Sequence, residues 1–265
     1  MGAAVARNLV FQPPVSNVSA ESIITSNVDS THEWLETRLG SRIESFFIDR
    51  RAPLTVLFSH ANAEDVSFIY GWLRDLSVRL KVNVAGYSYT GYAKSEGSPS
   101  EAHVYADVDA VWAHLVDVRG LDPRNVVLYS RSVGSGPTLY LAQRLCAERT
   151  PPAGVVLQSP ILSVFRIAFD FRLTLPGDMF PNVDRIPSVD CPVFVLHGTH
   201  DEVVPFWHGQ ELFLHTKIKW RHKPFWITGA GHNNIEMLLR DSGLLFKKLA
   251  EFFAHCRARA DERAP

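Results

Sequence analysis

Asn125-Val126-Val127-Leu128-Tyr129-Ser130-Arg131-Ser132-Val133-Gly134-Ser135-Gly136 is the stretch on which the reading of the whole chain turns. Its β-branched first half reads as a strand. It runs into a small-x-Ser-x-Gly turn, and Leu139, Leu141, Ala142 and Leu145 follow at helical spacing. A serine carried on a sharp strand-to-helix turn is the layout of a nucleophile elbow. Small neighbours are needed there because strand and helix backbones pass close together, and Gly134 and Gly136 meet that need. The first small position is usually glycine and here is Ser130, which predicts tight packing. The turn also aims a helix N-terminus at the reacting group. Backbone N–H groups, that of Val133 first, can then stabilise an oxyanion. Taken alone, the five-residue pattern fits an ordinary strand–turn–helix equally well. The strand before it and the helix after it favour the functional reading.

Outward from this turn, strand-like and helix-like segments alternate. Arg42–Ile48 reads as a strand, paired through a turn at Gly40 with one ending near Thr37. Leu54–Ser59, Val82–Tyr87, Gly154–Leu157, Val193–His197 and Pro224–Ile227 are short apolar runs of the buried-strand type, as is Asn125–Tyr129. The clearest helix signal is Ser98-Pro99-Ser100-Glu101, with Ser98 as cap, Pro99 in the first helical position and Glu101 closing a capping box. Val104, Val108, Val111 and Leu115 then form one apolar face. This alternation predicts an α/β fold, a mostly parallel sheet with helices on both faces. Right-handed crossovers place the strand C-termini on one edge, where sites form.

Two further residues are expected at that edge. Val193-Phe194-Val195-Leu196-His197-Gly198-Thr199-His200-Asp201-Glu202-Val203-Val204 is a strand ending in a loop that presents an acid. Asp201 is preferred because Val203 and Val204 close the loop over it, while Glu202 reads as a solvated charge. Phe225-Trp226-Ile227-Thr228-Gly229-Ala230-Gly231-His232 ends in small residues before one histidine, the candidate base. His60, His197 and His200 read as loop and supporting residues. The order Ser132, Asp201, His232 is that of α/β-hydrolases. In the corresponding mechanism His232 takes the Ser132 proton and Asp201 orients and stabilises the imidazole. A second oxyanion donor is expected in His60-Ala61-Asn62-Ala63, where the Asn62 N–H is the candidate. The alternative there is a plain strand-end turn with a buried His60.

The remaining features exclude other classes. The 265 residues, 46% of them hydrophobic, suit a single α/β-hydrolase domain over residues 1–265, with 1–20 and 257–265 peripheral. The net charge of −1 and the lack of a Lys/Arg-rich run argue against nucleic acid. Cys146, Cys191 and Cys256 have no zinc-site spacing, and an odd number makes no disulfide framework, so a reducing, cytoplasmic address is expected. The apolar runs are strand-length, so no transmembrane helix is expected. The N-terminus lacks the apolar core of a signal peptide. Met1-Gly2 begins a myristoylation pattern that Ala6 breaks. The chemistry needs neither metal nor organic cofactor.

From about Leu9 to Phe253 the sequence resembles the alpha/beta-hydrolase domain-containing 17 group. The matching stretches are Leu57-Phe58-Ser59-His60-Ala61-Asn62-Ala63, Gly91-Tyr92-Ala93-Lys94-Ser95 with Tyr105-Ala106-Asp107, the turn at Ser132, Phe180-Pro181-Asn182, His197-Gly198-Thr199 with Asp201-Glu202-Val203, and Gly229-Ala230-Gly231-His232-Asn233. The resemblance implies a serine hydrolase that removes S-linked palmitate from membrane-associated proteins, with the same three residues. Members of that group carry an N-terminal cysteine cluster that anchors them to membranes. No cysteine precedes Cys146 here, so anchoring by that route is unsupported and peripheral membrane association stays open. Where the group has glycine and an uncharged residue, this chain has Ser130 and Arg131, placing a cation beside the nucleophile.

The expected activity is cleavage of an acyl ester or thioester through an acyl-enzyme, on an acylated protein or a small acyl ester. A serine peptidase of the same fold and a non-catalytic hydrolase-like binding protein are the alternatives. Leu162–Pro187, with Phe165, Ile167, Phe169, Phe171, Leu173 and Phe180, reads either as a small apolar cap suited to an acyl chain or as aromatic packing onto the sheet.

Overall fold

Among the described residues, four strands lie in each half of the chain. The computed structural model describes residues 10–15, 19–168 and 174–261. The chain divides into two units, residues 1–122 and 123–265.

In the first unit, β1 (Ser30–Glu36) and β2 (Arg42–Ile48) form an antiparallel hairpin in register Ser30↔Ile48 to Glu36↔Arg42. Its turn passes through Gly40 at φ +80°. β2 pairs antiparallel with β4 (Asn83–Tyr87), which pairs parallel with β3 (Thr55–Ser59). Every residue of β3 and β4 is buried, the polar Thr55, Ser59 and Asn83 at their ends included. The helix Val66–Leu80 joins them. Asp65 caps it by accepting from the Ser67 and Phe68 N–H groups, and Ile69, Leu73 and Leu76 are among its buried residues. Each such side chain taken out of water contributes roughly 1.5–3 kcal/mol.

The helix expected from Ser98 is Glu101–Ala113, and its cap is Ser100, not Ser98. Ser100 Oγ accepts the His103 N–H at 3.2 Å and lies 2.8 Å from His103 Nδ1, so histidine takes the place expected for Glu101. Ser98 and Pro99 belong instead to a loop that folds back: the Gly91 N–H donates to the Glu96 carbonyl, and the Pro99 ring abuts Gly91. The apolar face is as read, with Val104, Val108, Val111 and Leu115 all buried. The segment 10–15 is no loose tail, since Phe11 is buried and the Gln12 N–H donates to Asn62 Oδ1.

In the second unit β5 (Val126–Arg131), β6 (Gly154–Gln158), β7 (Val193–Gly198) and β8 (Phe225–Ile227) pair in sequence order, all parallel. Their C-termini therefore share one edge. The helix Ser135–Ala147 connects β5 to β6 and buries Leu139, Leu141, Ala142 and Leu145. The final helix, Leu244–Asp261, runs into residues that charge alone marks as peripheral. Arg259 in its last turn complements the helix dipole. No helix among the described residues is long and apolar enough to cross a membrane.

Candidate active site

All three residues singled out by chain order follow C-terminal ends of the parallel strands in the second unit. Ser132 comes directly after β5 and opens a 3-10 turn, Ser132–Gly134, that leads into the helix Ser135–Ala147. Its φ is +54°, a left-handed conformation rare for a side chain with a Cβ. Such strain costs on the order of 1–3 kcal/mol and must be held by its surroundings.

The holding contacts can be named. The Ser135 hydroxyl donates to the Ser132 carbonyl at 2.7 Å and accepts from the Ile161 N–H and from Asn182 Nδ2. Asn182 Nδ2 also donates to the Ile161 carbonyl. Phe180, fully buried, lies so close to the helix that a Cβ on Gly136 would sit 2.3 Å from its ring. Thus Phe180-Pro181-Asn182 clamps the turn. Ser130 fits because it is buried with its hydroxyl donating to the Val156 carbonyl at 3.3 Å.

His232 Nε2 lies 3.0 Å from Ser132 Oγ, and His232 Nδ1 lies 2.8 Å from Asp201 Oδ2. An ionised carboxylate only accepts, so Nδ1 carries the proton and Nε2 is free to accept from the serine. Asp201 has a fully buried side chain. Its Oδ1 accepts the Val203 and Val204 N–H groups at 3.0 and 2.8 Å, the closing of the loop anticipated from those two valines. Burial pushes its carboxyl up, but hydrogen bonds from His197 and His232 and the Val204 N–H outweigh burial. The group is held well below the usual carboxylate range.

His197 supports Asp201 from the strand and not from the loop. It lies in β7, fully buried, with Nε2 3.1 Å from Asp201 Oδ2 and 3.0 Å from the Val204 carbonyl. His197 Nδ1 is buried without a partner, which puts its proton on Nε2. Asp201 thus receives two histidines on one oxygen and two backbone N–H groups on the other. Glu202 is likewise more than a solvated charge: its Oε2 accepts the His232 N–H at 3.2 Å. Gly231 beside it leaves room, since a Cβ there would lie 2.5 Å from that oxygen. His200 is exposed and pairs with Thr199.

Arg131 does not present a free cation. It is paired with Glu236, which also accepts from Gln158 Nε2 at 2.8 Å, and Gln158 Oε1 accepts the Tyr129 hydroxyl at 2.7 Å. Between β6 and β7, the described residues favour packing over an open cap. Phe180 lies on the helix at Gly136, while Phe165 and Ile167 are half-buried. Arg166 pairs with Asp178 at 3.6 Å, both side chains buried. His208 receives the Leu162 N–H on Nδ1 and reaches the Arg166 carbonyl with Nε2. Burial pushes its pKa down to about 4. Phe169, Phe171 and Leu173 lie outside the described residues.

In the first unit Asn62 lies in the turn after β3, and its side-chain Oδ1 accepts from the Tyr92 hydroxyl at 2.7 Å as well as from Gln12. His60 there is fully buried and stacks on Tyr89 at 3.9 Å. Val133, the other expected donor, is the middle residue of the turn at Ser132. Among the described residues no group of three or more His, Cys, Asp or Glu side chains is gathered as a metal ion requires.

Sequence alone missed the contacts of His197, Glu202, Ser135 and Asn182. Only Asn182 had a signal, its place in Phe180-Pro181-Asn182.

The fold is that of the α/β-hydrolases. The chain is similar to the Pyrococcus furiosus esterase Pf2001, with a TM-score of 0.71 at 17% identity over 93% of this chain and 99% of that one. It is equally similar to an alpha-beta hydrolase from Vibrio vulnificus, with a TM-score of 0.71 at 17% identity over 91% and 92%. No family model matches. The human alpha/beta hydrolase domain-containing protein 17B is 38% identical over 219 residues, 82% of this chain and 72% of the relative. The mouse 17C protein is 40% identical over 224 residues, 83% of this chain and 66% of the relative, so the chain spans just under two thirds of that relative's length. The chain belongs to the alpha/beta hydrolase domain-containing protein 17 family.

Proposed function

We propose that the chain is a serine hydrolase that cleaves acyl esters or thioesters, with S-palmitoylated protein as the leading substrate class. The observation that carries this reading is the unbroken path from Ser132 Oγ through His232 to Asp201, with the serine in a left-handed turn at the head of a helix. The substrate class rests on the resemblance to the 17 group.

In this mechanism His232 Nε2 takes the Ser132 proton as Oγ attacks the acyl carbon. The imidazolium forms beside an Asp201 that its hydrogen-bond donors keep ionised against its burial. Collapse of the tetrahedral intermediate expels the thiol or alcohol, which takes the proton back from His232. Water, activated by the same histidine, then hydrolyses the acyl-serine. The Val133 backbone N–H is assigned to the oxyanion.

Labelling with a fluorophosphonate probe, wild type against Ser132→Ala, tests the nucleophile. Hydrolysis of esters and thioesters of increasing chain length then tests the substrate class. Labelling lost in the variant and a preference for long thioesters support the reading. A folded wild type that does not label overturns it, and a preference for short oxygen esters overturns the substrate class.

A further inference from the structure

The second unit holds another concentration of reactive side chains, which the hydrolytic reading does not use. Cys146 sits in the last turn of the helix Ser135–Ala147 and is half-buried. It lines a cavity of about 530 Å³ together with Tyr140, Gln143, Asp190 and Lys217. Its Sγ accepts the Asp190 N–H at 3.1 Å. That N–H belongs to the residue just before Cys191, so the two cysteines are brought within about one peptide unit of each other. The Cys191 thiol completes the contact by hydrogen-bonding to Cys146, while Cys191 itself is fully buried at the entrance to β7.

The surroundings suit a thiolate at Cys146. The hydrogen bond from Cys191 and the Asp190 N–H stabilise negative sulfur, and the Lys217 ammonium adds a favourable charge. Lys217 is held there by Asp190 at 2.8 Å. Against burial and the Asp190 charge, these leave Cys146 below the ordinary thiol range. The pair thus has an accessible sulfur with thiolate character and a sheltered sulfur in contact with it. This is the arrangement of an attacking and a resolving cysteine.

We propose that Cys146 and Cys191 form an oxidisable thiol pair whose reactant is a small hydroperoxide admitted through the cavity at Cys146. The Cys146 thiolate attacks the distal peroxide oxygen, breaking the O–O bond. It becomes a sulfenic acid, and the leaving alkoxide or hydroxide takes a proton to leave as alcohol or water. The Cys191 sulfur, losing its proton, then attacks the sulfenic sulfur and expels water as the S–S bond forms. Two thiols are oxidised by two electrons and one peroxide is reduced. The bridge ties the C-terminal end of the helix that starts behind Ser132 to the head of β7.

The test treats the full chain with hydrogen peroxide near neutral pH and maps cysteines by peptide mass spectrometry. We expect a Cys146–Cys191 cross-linked peptide, forming about tenfold faster than free cysteine oxidises, in line with the larger thiolate fraction. In Cys191→Ser the sulfenic acid persists at Cys146 and is trapped by dimedone. In Cys146→Ser neither product forms, and Cys191 stays unmodified. Cys256, fully buried, should not react in any of them. Ser132→Ala should oxidise like wild type, so this inference and the hydrolytic reading fail separately. A Cys146 no faster than free cysteine, a bridge involving Cys256 or a second molecule, or no trapped sulfenic acid in Cys191→Ser overturns the proposal.

Discussion

Asp107 and Asp201 are both buried carboxylates held by short hydrogen bonds, one in each unit, and they are driven in opposite directions. Asp107 accepts the Thr90 N–H and the Thr90 hydroxyl, each at 2.7 Å. Burial still prevails there and pushes its pKa up to about 7. Asp201 is subject to the same burial, yet two histidines and the Val204 N–H hold it well below the carboxylate range. Burial alone therefore does not set the charge of an interior acid. The number of donors, and whether one of them can become a cation, decides it. Asp107 staples a loop, while Asp201 is built to stay charged next to His232.

The largest expected effect breaks this comparison at its functional end. Asp201→Asn keeps the shape but lets an amide N–H face His232, favouring the wrong imidazole tautomer. Turnover of an acyl ester should fall about 10³- to 10⁴-fold. Asp107→Asn should leave turnover within a few-fold. Equal losses in the two variants would show that the two acids do not differ in role.

A smaller effect sharpens what holds Asp201. His197→Phe removes one of its four donors, and turnover should fall about ten- to a hundredfold with KM little changed. The acid limb of the pH–rate profile should move up, because an Asp201 with one donor fewer takes up a proton at higher pH. His197→Gln keeps an N–H donor and should recover part of the loss. A loss that follows stability alone, with an unmoved pH profile, would reduce His197 to packing.

The next effect is on stability, and the two acids should give opposite slopes. Asp107 has a folded value of about 7 against an ordinary 3.8, so between these limits the folded chain keeps a proton that the unfolded chain has released. Its contribution to stability therefore falls as pH rises through that window, by at most about 1.4 kcal/mol per pH unit. Asp201 is lowered, so its contribution is present above 3.8 and is lost as pH falls through its folded value. Urea unfolding from pH 4.5 to 7 should show a slope in wild type that Asp107→Asn flattens. An unchanged slope in that variant would place the titration elsewhere.

Most of the second unit's edge was legible in the sequence, because unbroken apolar strands and small-residue turns are local signals. β7 and β8 end within a residue of the apolar runs, β5 runs two residues past its own, and Ser132, Asp201 and His232 follow them. The misses share a cause: a contact made by the turn of the chain that no local pattern announces. Ser98 lost its role as cap to Ser100 because Pro99 packs on Gly91. Arg131 read as a free cation because Glu236 is 105 residues away. His197 could not be told from any other histidine in a strand until Asp201 was seen to turn back towards it.

Glu202 gives the smallest effect. Its carboxylate is exposed and accepts the His232 N–H at 3.2 Å, a single hydrogen bond at the rim of the site. A bond of this kind contributes about 0.5–1.5 kcal/mol, so Glu202→Ala should cost between about twofold and tenfold in turnover. Glu202→Gln retains an oxygen acceptor and should be nearly silent. Its charge lies beside His232, so the variants separate two roles. If Glu202 only positions the His232 backbone, Gln rescues and the pH profile stays in place. If its charge matters to the site, Ala and Gln lose turnover alike. The four hydrogen bonds at Asp201 argue for the first outcome, because the charge that faces the imidazole is already supplied there.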